Sequence, residues 1–251
     1  MSTAETLVTG AMVLVFAAIH LFTKRLRFLD STPRSKWLSF AGGVAVSYVF
    51  LHVLPEIGAH QRTFAAEMGV PALVAESTVY SLALAGLAVF YGLERAVKVS
   101  RARSRAKGAG DRLERRVLYL HLATYGAFNM LVGYLLVHRE EGGAGALALY
   151  FVALALHFVT ADFGMRNDHS AAYDRIGRWV IAAAVIAGWG LGLATQLSGV
   201  LIGCLFALLA GSIVLTVLKE ELPEERESYF RPFALGLVIY AGLVLAERHL
   251  V

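Results

Sequence analysis

The chain has 251 residues, of which 57% are hydrophobic and only 17% charged, with a mean hydropathy of +0.62. A water-soluble domain of this length has too little interior to hide that much apolar surface, so the composition excludes one and points to lipid as the solvent. The lone cysteine, Cys204, excludes a disulfide framework and a cysteine metal cluster.

A helix needs about 20 mostly apolar residues to cross the hydrocarbon layer. Such runs occur at 5–22, 37–57, 71–93, 117–137, 143–164, 178–196, 199–219 and 230–247. The first lacks a basic run before it and a small-residue cleavage site after it, so it reads as a retained span. Gln196–Gly199 and Lys219–Ser228 are short enough to join antiparallel neighbours. The longest connection, 94–116, reads as a flexible, solvated basic loop with Lys107-Gly-Ala-Gly110 within it. Backbone groups in lipid must be satisfied locally, and a chain rich in Leu and Ala does that as helix rather than barrel strand. The expected fold class is all-α and polytopic, with residues 1–251 forming a single eight-helix membrane domain.

Charge sets the orientation. Of the 23 Lys and Arg residues, 20 fall in alternate connections or at their edges, around 24–36, 95–116, 166–178 and 219–231. Only Arg62, Arg139 and Arg248 fall on the other side. The positive-inside rule places the first set in the cytoplasm, so both termini lie outside, in a plasma (inner) membrane. Anionic lipid beside these loops accounts for the pI of 9.3, and no nucleic-acid partner is implied.

Two spans echo one another. Shifting the sequence by 168 positions superposes Gly43 on Gly211, Leu54-Pro55-Glu56 on Leu222-Pro223-Glu224, and His52 on Glu220. With the first tripeptide outside and the second inside, spans 1–3 and 6–8 would be inverted-topology repeats around spans 4 and 5, a build common among secondary transporters. The competing reading is a helix-end signal used twice, with Pro stopping the helix and Glu wetted.

The segment Phe40-Ala-Gly-Gly-Val-Ala-Val-Ser-Tyr-Val-Phe-Leu-His-Val-Leu-Pro-Glu56 resembles the second span of the ZIP (Zrt/Irt-like) metal transporters, and Leu201–Glu224 resembles their seventh. The resemblance implies eight spans in a 3+2+3 arrangement, termini outside, and a long cytoplasmic loop after span three. It also implies inward transport of zinc, iron or manganese, often by a homodimer. Gly188, Gly190 and Gly192 would permit close helix contacts of that kind.

The family's transport motifs on spans four and five are present only in degenerate form. Span four reads His121-Leu-Ala-Thr-Tyr125-Gly-Ala-Phe-Asn129, without carboxylate or proline, and Asn129 falls about where a family glutamate would. Span five offers His157 at the family position, but Ala161 takes the glutamate place and Asp162 follows one residue late. The resemblance thus assigns His121, Asn129, His157 and Asp162 as metal ligands, with His52, Glu56 and Glu220 as weaker candidates. His121, Tyr125 and Asn129 recur every four residues and share a helix face. His157 and Asp162, five apart, would need local unwinding to hold one ion. An ionisable group inside a membrane is a functional hint by default, but a membrane histidine can also merely bond a neighbouring carbonyl. His20 and His52 either border the same cavity or pack. Glu56, His60 and Glu76 either gather cations at an outer vestibule or cap wetted helix ends. Asp168, His169 and Asp174 read as partners in local salt bridges with Arg166 and Arg175. The run Glu220, Glu221, Glu224, Glu225 and Glu227 reads as a metal exit or a solvated helix end.

Three functions follow. A divergent carrier of divalent metal ions, with the ion as transported substrate, ranks first. A non-transporting scaffold or sensor ranks second. An intramembrane zinc hydrolase using His121, His157 and Asp162 ranks third, since no nucleophile with a base is found, and the chain is not expected to be an enzyme. In a Cys204→Ser background, a cysteine placed in 94–116 is expected to resist a membrane-impermeant maleimide on intact cells and to react after permeabilisation. Labelling from outside would reverse the orientation.

Overall fold

The computed structural model describes residues 2–25, 36–108, 110, 113–139, 143–221 and 229–250, the side chains of 167–170, 220–221 and 250 excepted. Helix dominates, and no strand occurs among the described residues. The helices are α1 (Thr3–Phe22), α2 (Lys36–Tyr48), α3 (Leu54–Met68), α4 (Ala72–Ala106), α5 (Arg115–Val137), α6 (Ala144–Ala172), α7 (Arg178–Ala194), α8 (Gly199–Glu221) and α9 (Phe230–Leu250). A π-type turn, Val49–Val53, makes α2 and α3 one span, and a second, Tyr173–Gly177, links α6 to α7. Among the described residues, eight segments are therefore long and apolar enough to cross a membrane, matching the eight runs in the sequence. Leu84, Val89, Leu235, Val238 and Leu243 all point outward, an apolar surface that water would not tolerate and lipid covers.

Two boundaries differ from the expected ones. The second span was expected to stop at residue 57 because of Pro55, yet helix continues to Met68. Pro55 lies within this continuous span, just after the π turn, so its missing N–H leaves a carbonyl to be satisfied elsewhere. The carbonyl its N–H would have served, that of Leu51, instead accepts a 2.6 Å hydrogen bond from the Arg248 guanidinium of α9. Immediately before it the Leu54 N–H reaches back five residues to Val49, which is the π turn itself. The loop expected to be flexible from Glu94 is also helical, as far as Ala106, because α4 continues past the membrane for about three turns.

Packing is ordered by glycines. A β-carbon on Gly43 would collide with backbone at Phe233 and Leu237 of α9, and one on Gly236 with backbone at Phe40 of α2. Likewise Gly211 abuts backbone at Ala83 and Leu87 of α4, and Gly86 abuts Leu208 of α8. The two crossings share one spacing: every α2 position maps onto α8 by a shift of 168, and every α4 position onto α9 by a shift of 150. Contacts advance together along α2 and α9 (Phe40 with Gly236, His52 with Tyr240), so these helices run parallel, as α4 and α8 do (Gly86 with Leu208, Glu94 with Lys219). Because His60 of α3 meets Gly203 while Thr63 and Glu67 meet Gly199, the α2–α3 span runs against α8. The two parallel pairs therefore point in opposite directions. Gly188 and Gly192, expected to be free for contacts with a second copy, press on Met130 and Tyr134 of α5 in the same chain.

Gly211→Ala should lower the thermal unfolding midpoint in detergent, by about 1–3 kcal/mol of overpacking. Gly242→Ala, with nothing within 4 Å of the new carbon, should hold or raise it through better helix propensity. Equal effects would mean that the crossings do not hold the bundle.

Candidate functional site

A cavity of about 40 Å³ lies among α1, α4, α5, α6 and α8. Since about 10–15 Å³ of such space holds one water, it suits a small ion or a few waters. Its wall is mostly aromatic and aliphatic, with a polar arc formed by His20, Asn129, His157, Asp162, Ser212 and Thr216.

The centre of that arc is a hydrogen-bonded pair in which His20 Nδ1 lies 2.7 Å from Asp162 Oδ2, both side chains almost wholly buried. With the carboxylate oxygen as acceptor, Nδ1 carries the hydrogen, and in that neutral tautomer Nε2 keeps its lone pair. Local structure holds the pair in place. Thr23, at the end of α1, directs its hydroxyl at the Ile19 carbonyl (2.6 Å) with Asp162 Oδ2 at 3.3 Å. Tyr173, in the π turn, donates to the His20 carbonyl, and Arg178 donates to that of Leu21. These bonds take up carbonyls that the end of α1 would otherwise leave unpaired in an apolar interior. Phe158 packs on the His20 ring at 4.8 Å and on Phe16 at 5.1 Å, fixing α1 against α6.

Two polar atoms on the wall have no partner. His20 Nε2 is buried without a hydrogen bond, and so is Asn129 Oδ1, while the Asn129 amide N–H donates to the Tyr125 carbonyl at 2.9 Å. Buried polar atoms are normally satisfied, so two unsatisfied acceptors beside one cavity call for a ligand that is a hydrogen-bond donor or a cation.

The sequence candidates separate into groups. Asn129, His157 and Asp162 do line the cavity together with Tyr125. His157 and Asp162 do not converge by unwinding: α6 stays helical through both, and Asp162 turns to His20 of α1 instead. His121 is buried one turn away, edge-on to Tyr125 at 4.8 Å, and is not on the wall. His52 is not on it either; it stacks on Tyr48 and lies 3.4 Å from the Tyr240 hydroxyl, which donates to Leu149. Glu56 follows one turn on in α3, half-buried, His60 packs against Phe206, and Glu76 is exposed. Asp174 pairs with Arg166 as expected, but its second cation is Lys24 rather than Arg175. The Glu220 and Glu221 side chains, those of Asp168 and His169, and residues 222–228 with the second Leu-Pro-Glu lie outside the described residues. Among the described residues, no three His, Cys, Asp or Glu side chains come together as a metal-holding group. His20 is the residue that reading along spans four and five could not supply. Its only sequence signal is a histidine within an apolar run, 142 positions from its partner.

Aromatic rings line the α4–α5 side of the cavity. The Phe90 ring on its wall packs against Tyr125 and Phe128. One turn beyond Phe90 and Thr216, Lys219 Nζ meets Glu94 Oε2 at 2.5 Å, tying α8 to α4. Lys219→Met should strand the Glu94 carboxylate and cost about 2 kcal/mol, between the values for exposed and fully buried pairs. The Glu94→Gln/Lys219→Met double variant should recover most of the loss in chemical unfolding; no recovery would mean that the two charges are not coupled.

The sequence matches no protein-family model and no curated protein.

Proposed function

We propose that this chain is a membrane carrier for a small cation, with a divalent metal ion (zinc, iron or manganese) as the first candidate, taken toward the cytoplasm through the cavity beside His20 and Asp162. The observation that carries the reading is this pair, buried inside a membrane bundle, with an unpartnered imidazole nitrogen beside a small cavity. Burying a carboxylate and an imidazole there costs several kcal/mol unless the groups serve a bound solute or a proton path. In this reading His20 Nε2, His157 and Asn129 Oδ1 supply ligand atoms. Asp162 orients and polarises His20, as carboxylates do behind histidine ligands elsewhere. The site is weaker than the usual divalent centre, having one carboxylate where several are usual, which favours a loosely held ion that is easily released.

The architecture supports the same reading. Two parallel helix pairs of opposite direction, crossing at matched glycines, are what inverted repeats of spans 1–3 and 6–8 would give. Spans four and five, carrying Asn129 and His157, would then lie between the repeats, in a ZIP-like 3+2+3 order with both termini outside. The second reading is a membrane scaffold or sensor, favoured by the absence of a three-ligand group among the described residues. That absence also removes the support for a zinc hydrolase, since His121, His157 and Asp162 do not gather.

Proteoliposome uptake of zinc, manganese and ferrous iron separates these readings. Wild-type protein should accumulate at least one ion, and Asp162→Asn and His20→Ala should each lower the rate by about 10–100-fold. Uptake unchanged in both variants would move the site elsewhere, and none by the wild type with any ion would favour the scaffold.

A further inference from the structure

We propose that a groove where α4 leaves the membrane, beside the start of α5, is a binding site for an anionic phospholipid. Its wall on α4 is made by Gly92, Arg95, Ala96, Val99, Ser100 and Arg103, and on α5 by Glu114 and Val117, around about 420 Å³ of open space. The α4 positions recur at three- and four-residue intervals, so they form one continuous stripe along the helix. Along it Arg95 and Arg103 alternate with Gly92, Ala96 and Val99.

Its position fits a lipid. Counting about 20 residues of hydrocarbon thickness from Ala72 brings the interface to about Gly92. Outward-facing Val89, one turn to the membrane side of Gly92, is apolar, and exposed Tyr91 stands beside Gly92, where aromatic side chains anchor at the headgroups. Nothing lies within 4 Å of where a Gly92 β-carbon would be, which leaves a slot for an acyl chain over Gly92 beside Val89, on the membrane side. Beyond it, Arg95 and Arg103 are exposed, and neither guanidinium has an ion-pair partner among the described residues. Two unpaired guanidiniums above an apolar slot match a phosphate headgroup above its chains.

The one carboxylate in the groove, that of Glu114, makes no ion pair with either arginine among the described residues, and one negative charge against two positive leaves the groove basic. The Glu114 backbone N–H donates to the buried Ser100 hydroxyl at 2.8 Å, fixing the start of α5 against the stripe and shaping the groove. Arg115 and Arg116, which follow Glu114 in the first turn of α5, add positive charge at this end of the bundle. A soluble phosphate would use the arginines alone. The apolar slot is what assigns the site to a lipid.

Native mass spectrometry of the detergent-purified protein tests this with phosphatidylglycerol and phosphatidylcholine as probes. The first phosphatidylglycerol should bind the wild type more tightly than phosphatidylcholine. Arg95→Gln/Arg103→Gln should weaken it by about ten-fold. Arg105→Gln/Lys107→Gln removes the same charge from the same end, off the groove, and should change it little. Gly92→Leu, which fills the slot, should weaken the lipid with both arginines retained, and excess inorganic phosphate should not displace it. Thermal unfolding of each variant checks the fold. Equal binding of the two lipids, equal loss in the two arginine and lysine pairs, or displacement by phosphate would overturn the proposal.

Discussion

Every backbone N–H and C=O that enters hydrocarbon must find its partner within the protein, because no water is there to replace it. That constraint turns the apolar runs into helices, and it also accounts for their irregularities. Pro55 removes one donor in the second span, and the freed Leu51 carbonyl is met by Arg248 from the last helix. The end of α1 leaves carbonyls over, and Tyr173 and Arg178 bind those of His20 and Leu21. In both places the repair comes from a distant helix, so it also fixes how the helices sit against each other.

With the hydrophobic effect nearly absent between helices in lipid, close packing takes over. The four glycines at the α2–α9 and α4–α8 crossings let backbones touch backbones. Between these rigid pairs the cavity is bordered by side chains from α1, α4, α5, α6 and α8. A carrier needs such a division, with firm blocks and a small polar space where they meet. The ion pair of Glu94 and Lys219 lies one helical turn past the wall residues Phe90 and Thr216, and the His20–Asp162 pair forms part of the wall.

The amino-acid sequence made the membrane class and the eight spans plain, because hydrophobic length is a local property. Helix ends were less legible: Pro55 reads as a stop, yet a remote arginine rescues the helix, and no local pattern records that. For the site, Asn129, His157 and Asp162 stood out as polar groups in apolar runs, and all three do line the cavity. The partner of Asp162 was not legible, since His20 lies on another helix and no motif links the two. His121 shows the converse: it shares a helical face with Asn129, yet it ends one turn off the wall because the cavity is shorter than the face.

The central claim is that the buried pair of α1 and α6 belongs to a cation site. Elemental analysis of the purified protein, after incubation with zinc, manganese or ferrous iron and removal of the excess, tests it most directly. The account predicts one of these ions retained near one per chain in the wild type and lost in both the His20→Ala and Asp162→Asn forms. A wild type that retains none of them, or variants that retain as much, would contradict it.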